Sequence, residues 1–561
     1  LVGKYMENVK IVFLGGQDEQ FKSMVAVEIA NQIFVIEAGF MMPDKTKPGI
    51  DFIIPRYDYL IENKAKVKGY FLTHGFDSVI GALPFIYEKV PAPIFCTRTT
   101  NDFLKGFCFH NKLDYSKLAI TVVSSEEDVV IENRKISFFG VPSNFAESIG
   151  IAIDTEQGNI IYISNAVCHN DIDKGFTFST GKLARICEKK TLVLMMDATN
   201  ADKLGYCSPN YNLLKVVRGD FFDKEGRIFL AIDRPNLFNI IECINTAVAR
   251  GRKIICYDEH SSEVINILNA EGYLNLKNDS IVGIEEVNRL RPKEVCVFIT
   301  GFAKKLNLKI SLLASKNNDD KIVFLRNEDT FVYGIHSSPE IETLITETID
   351  EVYKTGCEII RPDKKYIKMH ACEEDIKTIL SVVRPRYFVP VTAPFVKLLA
   401  SAMVALNMNI GLNHNNVFIV DNGNVIEFES GIGKILSQKI VNGDVFVDGK
   451  GIGDVGSQVI EERQKLSDDG VIVLGVTISK QTHQIVAGPD VQARGLVFLK
   501  DNEALIRDVN KLFISTVNTE LAKENYSISF MEQSVKDVIF RAIRRAINKT
   551  PMIIPIICEI N

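Results

Sequence analysis

FLTHGFDSVIGALP, residues 71–84, is the most informative stretch of the chain. An apolar, β-rich run ends there in Thr73-His74-Gly75, and Asp77 follows after one intervening residue. Imidazole and carboxylate groups are ligands of zinc and related ions. Beside them stand Phe76, which has no lone pair, and Ser78, whose hydroxyl is a weak zinc ligand unless it is ionised. His74 and Asp77 are therefore candidate metal ligands of this loop, whereas Phe76 cannot bind a metal and Ser78 would bind it weakly.

Apolar runs of strand length alternate with loops and short helical patterns from Lys10 to about Asn210, which favours a layered α/β sandwich. These runs are KIVFLGG, QIFVIEAG, KGYFLTHG, KISFFGV, NIIYISN and TLVLMMDA. A second set of α/β units extends from about Arg227 to Glu340. Strand and helix patterns then resume with RYFVPVTAP and with a predicted strand pair in NNVFIVDNGNVIEF. We therefore expect one domain to be inserted within another.

The last predicted helix has an apolar and a basic face. In SVKDVIFRAIRRAINKT, one side of the helix carries only apolar residues, namely Val535, Val538, Ile539, Ala542 and Ala546. Arg541, Arg544 and Arg545 lie opposite. A solvated basic face on a packed helix is favoured over an RNA-binding stripe.

Composition limits the class of protein. With 561 residues and 46% hydrophobic content, the chain can bury several cores. It contains no uninterrupted apolar run of about 18 residues and no signal-peptide pattern, so a cytoplasmic protein without a membrane segment is expected. The 11 cysteines form no CxxC pair, which argues against a zinc ribbon or a disulfide framework. Because the net charge is −6, a nucleic-acid site must be a local basic patch.

Three segments near the carboxyl terminus carry a family resemblance. They are VDGKGIGDVGSQVIEERQKLSDDGVIVLGVTI (447–478), AGPDVQARGLVF (487–498) and PMIIPIICEI (551–560). Nearly residue for residue they resemble the C-terminal domain of bacterial ribonuclease J, and the likeness extends over nearly the whole chain. The resemblance implies an α/β protein with three parts: a metallo-β-lactamase αββα sandwich, an inserted β-CASP α/β domain, and a small C-terminal α/β domain used in oligomer formation.

The expected domain boundaries follow from combining this resemblance with the pattern of runs. Residues 1–210 and 346–440 are expected to form the two parts of the metallo-β-lactamase domain. The β-CASP domain should occupy residues 211–345, and the C-terminal domain residues 441–561.

The resemblance also identifies the positions at which the family holds its metals. The loop at residues 71–84 resembles the family's HxHxDH motif, of which His74 and Asp77 survive. Five ligand positions have lost their imidazole or carboxylate, and they now hold Phe76, Ser78, Ser143, Asn165 and Thr392. Asn165 stands where the family has a metal-bridging aspartate. Glu37 replaces an aspartate of the family, and Asp197 matches an aspartate beside the site, although a turn-forming role at a strand end fits Asp197 equally well.

The missing ligands limit the metal-dependent chemistry that the site can perform. Family members use two divalent ions, commonly zinc, to degrade RNA from a 5′-monophosphate end or to cut it internally. Two such ions about 3.5–4 Å apart repel each other and need anionic, bridging ligands. We therefore expect no metal cofactor held as in the family, and activity that is lost or weak. His74 and Asp77 are expected to hydrogen-bond within their own loop, with Asp77 capping the next helix; residual metal binding is the alternative.

The positions that correspond to the family's phosphate-binding residues are substituted, but some of the new residues can still bind phosphate. The family's HVSGH loop corresponds to Tyr366-Ile-Lys-Met-His370, which retains His370 as a relict catalytic residue. Lys368 replaces a hydroxyl of that loop, and its charge can still hold a phosphate. The family's GSQGEP turn corresponds to Gly301–Leu306, which adds Lys304 and Lys305. Tyr366, Lys368, His370, Lys304 and Lys305 are the predicted RNA-binding residues.

Three functions remain open from sequence. The leading hypothesis is a silent or weak ribonuclease J paralogue that binds RNA or assembles with itself or an active paralogue. The second is an active 5′-3′ exoribonuclease or endoribonuclease with a metal site rebuilt from fewer ligands. The third, a hydrolase of small molecules, is disfavoured because the inserted and C-terminal domains imply nucleic acid.

Overall fold

The computed structural model describes residues 7–44, 46–168, 174–277, 279–315, 323–336, 341–449, 451–453, 456–496, 502–523 and 525–561. Strands β1–β26 and helices α1–α15 are numbered in chain order within these residues. The chain divides into two compact units, Leu1–Met41 with Ile54–Asp444 and Met42–Ile53 with Val445–Asn561. In the part of the chain so described, no helix has the length and apolar character needed to cross a membrane.

Two sheets of the first unit enclose a shared core. The eight-stranded sheet has the order β21-β20-β1-β2-β3-β5-β6-β7. Its strands are β1 (Val9–Gly15), β2 (Met24–Ile29), β3 (Gln32–Ile36), β5 (Val67–Phe71), β6 (Ile94–Cys96), β7 (Ile120–Val122), β20 (Val425–Glu429) and β21 (Ile432–Ile435). The six-stranded sheet, in the order β19-β12-β11-β10-β9-β8, comprises β8 (Asp128–Ile131), β9 (Arg134–Gly140), β10 (Ile149–Ile153), β11 (Asn159–Ile163), β12 (Thr191–Asp197) and β19 (Tyr387–Val391). Buried Phe34 and Phe71 from the first sheet pack in one cluster with Phe138 and Tyr162 from the second.

Residues between these strands form a third sheet, which is entirely parallel. Its order is β15-β14-β16-β13-β17-β18. The strands are β13 (Ile228–Asp233), β14 (Lys253–Cys256), β15 (Ile281–Val282), β16 (Val295–Gly301), β17 (Thr330–Gly334) and β18 (Glu358–Ile360). The chain then returns to the first two sheets through β19, β20 and β21, so the expected insertion is confirmed.

Helices connect and cover these sheets. Those of the first unit are α1 (Asp58–Glu62), α2 (Asp77–Ile80), α3 (Leu83–Tyr87), α4 (Arg98–His110), α5 (Thr180–Cys187), α6 (Leu213–Val217), α7 (Leu237–Ala249), α8 (Glu259–Ala270), α9 (Ala303–Ala314), α10 (Glu342–Lys354), α11 (Glu373–Val383) and α12 (Phe395–Asn407). Short 3-10 turns occupy Lys64–Lys66, Tyr115–Lys117, Gly219–Asp223, Ile284–Asn288 and Pro292–Glu294. Buried residues of α5, α11 and α12 pack in one cluster with residues of the six-stranded β8–β12/β19 sheet, so helices cover its outer face.

The second unit combines two small sheets with long helices. Strands β22 (Asp444–Asp448), β23 (Gly451–Ile452) and β4 (Phe52–Pro55) form one sheet, in which Asp51 N donates to Val447 O at 2.9 Å. Strands β24 (Val471–Ser479), β25 (Gln484–Arg494) and β26 (Met552–Ile560) form the other, in the order β25-β24-β26. Its helices are α13 (Ser457–Asp469), α14 (Asn502–Leu521) and α15 (Ile528–Ile547).

Two local predictions have mixed outcomes. The basic helix is confirmed as α15, which buries Val535 and Ile539, although Ala546 on the predicted apolar face is exposed. The strand pair predicted in NNVFIVDNGNVIEF is wrong in part. Only its second half forms a strand, β20, whereas Val417 makes an isolated bridge to Phe388. Asp454 and Val455, in the glycine-rich stretch DGKGIGDVG (448–456), lie outside the described residues.

Candidate functional site

Parallel strand ends bring the polar residues of the site together. Strands β3 and β5 run parallel, so Glu37 and Thr73, which follow them, lie at the same edge of the eight-stranded sheet. Strands β11, β12 and β19 are also parallel to one another, and their carboxyl ends carry Asn165, Asp197 and Thr392. Side chains beyond the carboxyl ends of parallel strands are the usual place for a ligand site in α/β folds.

The loop after β5 is fixed by backbone bonds to the turn after β3. Ala38 N donates to Val79 O at 2.7 Å, and Phe40 N donates to Asp77 O at 3.1 Å. Gly39 makes this approach feasible, because a Cβ at that position would lie 1.4 Å from Ser78 O. The loop that carries His74, Phe76 and Asp77 is therefore held in place without any metal.

His74 is buried with one ring nitrogen satisfied. Thr73 Oγ1 donates to Glu37 Oε1 at 2.6 Å and lies 2.8 Å from His74 Nδ1. Because the hydroxyl has one proton, Nδ1–H of His74 is the donor to Thr73 and the lone pair is on Nε2. Nε2 is buried and has no hydrogen-bond partner among the described residues. Burial, together with the smaller effect of nearby His370, lowers the pKa of His74 to about 3, so the ring is neutral.

Aromatic rings surround His74. The Phe76 ring meets the His74 ring edge to face at 4.5 Å between centroids. Phe76 in turn packs edge to face on Phe145 at 5.3 Å, and Phe145 packs on Phe103 at 4.9 Å. Phe145 is 1% exposed, and its ring lies so close to Gly75 that a Cβ there would be 2.5 Å from it. We call His74, Phe76, Phe145 and Phe103 the aromatic cluster. A hydrated or ligand-deficient divalent ion is strongly disfavoured beside such rings.

Asp77 does not cap a helix through its side chain. It is the first residue of α2, the N-cap is Phe76, and no side-chain cap hydrogen bond forms, so the predicted capping is wrong. The pKa of Asp77 is raised to about 6, chiefly because the carboxyl group is buried; the charge of Arg234 opposes the rise and that of Glu263 adds to it. Charged side chains of the inserted domain are therefore near enough to Asp77 to affect its pKa.

The other positions at which the sequence predicts a lost ligand have local or backbone roles. Ser143 Oγ accepts from Phe145 N at 3.0 Å and shares a 2.6 Å hydrogen bond with Ser148 Oγ, so it closes its own buried turn. Ser78 contributes its carbonyl, which accepts from Ser23 N at 3.3 Å. Asn165 is 6% exposed and cannot supply the charge of a bridging carboxylate. Thr392 has φ +61, an unfavourable backbone conformation for a β-branched residue.

The second centre is built around His370. Its Nδ1 lies 2.8 Å from Asp197 Oδ2, and Asp197 Oδ1 accepts from Thr199 Oγ1 at 2.7 Å. Asp197 therefore orients the His370 ring in addition to bonding at its strand end. Met369 is fully buried, and its backbone N–H donates to Asn144 Oδ1 at 2.9 Å.

The inserted sheet supplies a third set of residues at its carboxyl edge. Asp233 ends β13 and lies 3.2 Å from His336 Nδ1. Tyr366 stacks on the His336 ring at 4.3 Å and accepts from Asn236 Nδ2 at 2.8 Å. Tyr366 is buried, so the structure places this predicted RNA-binding residue in the packing of the site. Burial raises the pKa of Asp233, but His336 and then Lys368 outweigh it, so the pKa lies below its ordinary value.

The three predicted lysines differ in exposure. Lys304 and Lys305 are exposed in the first turn of α9, which follows the end of β16. Lys368 is half-buried, with its ammonium 5.9 Å from the centre of the Phe21 ring. Lys304 and Lys305 are therefore open to solvent, whereas the side chain of Lys368 packs near Phe21, and phosphate binding by the three lysines stays a prediction.

The residues of the relict centre do not fit the family's pair of metals. Among the described residues, the one set of three His, Cys, Asp or Glu ligand atoms lying within 4.8 Å of one another contains neither His74 nor Asp77. One orphaned imidazole nitrogen among phenyl rings cannot hold two divalent ions.

Sequence reasoning missed two residues that join the parts of the site. Asn144 binds Met369 through its side chain, and its carbonyl accepts from Phe238 N at 3.1 Å at the start of α7. The guanidinium of Arg234 lies 5.4 Å from the Phe103 ring and 5.6 Å from the Phe302 ring. Arg234 directly follows a predicted strand, in LAIDRPN, and that position is the signal that could have identified it.

Two sheets in a sandwich with an inserted parallel sheet define a metallo-β-lactamase-fold protein with a β-CASP domain. Family comparison agrees, because residues 225–352 match the ribonuclease J β-CASP domain and residues 458–560 the ribonuclease J C-terminal domain. The chain is 31% identical to ribonuclease J 2 of Staphylococcus aureus strain MRSA252 over 562 residues, covering 100% of both chains. It is 30% identical, with the same coverage, to ribonuclease J 2 of Staphylococcus saprophyticus. The chain belongs to the ribonuclease J family.

A solved structure supports the same fold. A protein of unknown function from Enterococcus faecalis V583 matches with a TM-score of 0.51 at 12% identity. The match covers 75% of this chain and 100% of that one. At this identity the likeness concerns the fold alone.

We expect His74 to stay neutral in the folded protein as the pH falls. Its folded pKa of about 3 is below the unfolded value of about 6.5, so its stabilising contribution is complete above about pH 6.5 and is lost as the pH falls toward 3. Histidine-labelled NMR, with the His74 signals assigned by their loss in His74→Gln, should show a neutral ring down to about pH 5. The same protein unfolded in urea provides the control. A folded-state His74 that titrates near 6.5 would mean that the ring is solvated.

Proposed function

We propose that this ribonuclease J-family protein is catalytically silent or weak. In this view it acts in RNA processing and decay as an RNA-binding or structural subunit, assembled with itself or with an active ribonuclease J-like paralogue. The observation that carries the proposal is the aromatic cluster, in which the Phe76 ring packs against the rings of His74 and Phe145. Without a bound metal, nothing lowers the pKa of an attacking water toward 7.

The intact scaffold supports a retained binding role. Asp197 still orients His370, and Asn144 still joins the sandwich to the loop of residues 366–370. Lys304 and Lys305 extend into solvent near the carboxyl edge of the inserted parallel sheet. Lysine side chains bind phosphates through charge and need no metal for this.

A rebuilt active site is the second candidate. The observation in its favour is the pair of features that survive around the old centre, the lone pair on His74 Nε2 and the Asp197–His370 contact. A single manganese or magnesium ion would have to use these groups with Asp77. The neighbouring Arg234 disfavours this arrangement, because its charge is of the same sign as the ion.

The C-terminal unit offers a surface suited to assembly. Alternate residues of β26 point to one side, and those on the open side are exposed: Ile554 (37%), Ile556 (47%), Cys558 and Ile560 (49%). Strand β26 is the edge strand of its sheet, and Ile553 and Ile557 point the other way into the core. An exposed apolar stripe on an edge strand is a typical protein contact surface. Its proposed occupant is a second ribonuclease J-like subunit.

We expect RNA binding to be weak and strongly dependent on salt. At low salt, the triple variant Lys304→Ala/Lys305→Ala/Lys368→Ala should bind 5′-monophosphorylated single-stranded RNA at least about tenfold more weakly, because up to three phosphates no longer meet a cationic side chain. The slope of log affinity against log salt should also become shallower by about 0.7 for each phosphate that is no longer neutralised. Fluorescence anisotropy at several salt concentrations measures both. Lys64→Ala/Lys89→Ala/Lys354→Ala is the charge-matched control, and equal binding by both triple variants would refute the assignment.

We expect the apolar stripe on β26 to carry subunit assembly. Ile554→Lys/Ile556→Lys should convert the oligomer to a monomer, as should removal of residues from Val447 onward, because charge on an edge strand blocks pairing. Size-exclusion chromatography with light scattering measures the mass. Val130→Lys is the control, since Val130 is 69% exposed on β8, the edge strand of another sheet. If the full-length chain is already monomeric and retains no ribonuclease J-like partner, the subunit role fails.

A further inference from the structure

A cluster of metal-binding side chains that includes neither His74 nor Asp77 lies where helix α4 meets helix α8. It consists of His110, at the end of α4, with His260 and Glu263 on α8. One ligand atom from each residue lies within 4.8 Å of the ligand atoms of the other two. We propose that His110, His260 and Glu263 bind one zinc ion, or an ion of similar preference, and that this ion fastens the β-lactamase-like sandwich to the inserted β-CASP domain.

The distances suit a tetrahedral site. His110 Nε2 lies 2.9 Å from Glu263 Oε2, and the centroids of the His110 and His260 rings lie 4.6 Å apart. Zinc bound at about 2.0–2.2 Å in tetrahedral geometry needs ligand atoms roughly 3.3 Å apart. Small side-chain rotations therefore convert the existing arrangement into a three-ligand site with water as the fourth ligand.

The local sequence fixes the two ligands on α8. Asp258 caps the helix, since its Oδ1 accepts from Ser261 N at 2.9 Å. His260 and Glu263 are three residues apart, so they lie on the same face of α8. Burial lowers the pKa of His260, and His110 lowers it further, which keeps a lone pair available at neutral pH.

Helix α4 is shaped to meet that face. A Cβ at Gly106 would lie 1.9 Å from Glu263 Oε1, so the absence of a side chain there lets the carboxylate lie against α4. His110 stands one turn further along, and its side chain is 22% exposed, so an ion can reach it from solvent. The site thus joins two domains that are distant in sequence.

Nearby positively charged side chains are expected to weaken zinc binding at this site. Arg234 NH2 lies 3.4 Å from Glu263 Oε2, and Lys309 pairs with Asp258. These positive charges oppose a divalent ion, so binding should be weaker than in structural zinc sites made of thiolates. If instead the cluster is only a hydrogen-bonded His110–Glu263 pair, zinc will not bind there.

Isothermal titration of the full-length protein with zinc chloride tests the proposal. We expect one ion per chain, and a loss of affinity of more than about a hundredfold in both His260→Ala and Glu263→Gln. His414→Ala, which removes an exposed histidine, and His74→Gln, which removes the relict ligand, should leave binding unchanged. Zinc should also raise the melting temperature of the wild type and not that of Glu263→Gln.

Three results would overturn the inference: no zinc binding by the wild type, binding that survives both ligand variants, or binding lost only in His74→Gln. Glu263→Gln preserves side-chain size, so folding is expected to persist and circular dichroism verifies it. Should either ligand variant misfold, anomalous scattering at the zinc edge from wild-type crystals grown with zinc decides the matter. The ion must lie between His110, His260 and Glu263, and an ion placed elsewhere contradicts the site.

Discussion

The packing of Phe76 between His74 and Phe145 is the interaction on which the character of this site depends. In a two-metal hydrolase the same space must hold cations, their anionic ligands and water. Here the apolar rings enclose a neutral histidine, and its second nitrogen has no partner among the described residues. A buried acceptor without a partner costs about 1–3 kcal/mol, which the surrounding packing offsets.

Contacts within the chain hold the strand-end turns of the site in place. Glu37 and Thr392 retain φ values of +61, conformations that are strained for residues other than glycine. Glu37 is fully buried, and its carboxylate accepts hydrogen bonds from Thr73 and Tyr162, so the strained turn is stabilised by contacts that involve no metal. Burial raises the pKa of Glu37, and the hydrogen bonds only partly oppose that rise. The strand-end geometry is therefore maintained by hydrogen bonds within the chain and does not depend on a metal.

Much of this was predictable from the sequence, for identifiable reasons. The length of the apolar runs located strands β3, β5 and β12, which lead to Glu37, His74 and Asp197, because fully buried strands have few polar residues. The pattern of apolar residues predicted a strand around Val417, but Val417 makes only an isolated bridge to Phe388 and no regular strand pairing. Contacts between distant residues were beyond its reach. Neither the Asn144–Met369 hydrogen bond nor the meeting of His110 with Glu263 has a local signal, since the partners are separated by 225 and 153 residues.

The central claim is that this member of the ribonuclease J family cannot run two-metal hydrolysis at its old centre. The most direct test is decay of 5′-monophosphorylated RNA by the purified wild type and by Asp77→Ala, each with added manganese, with added zinc and with a chelator. The account predicts the same low rate in all six reactions. A metal-dependent rate in the wild type that disappears in Asp77→Ala would contradict it and establish a rebuilt active site.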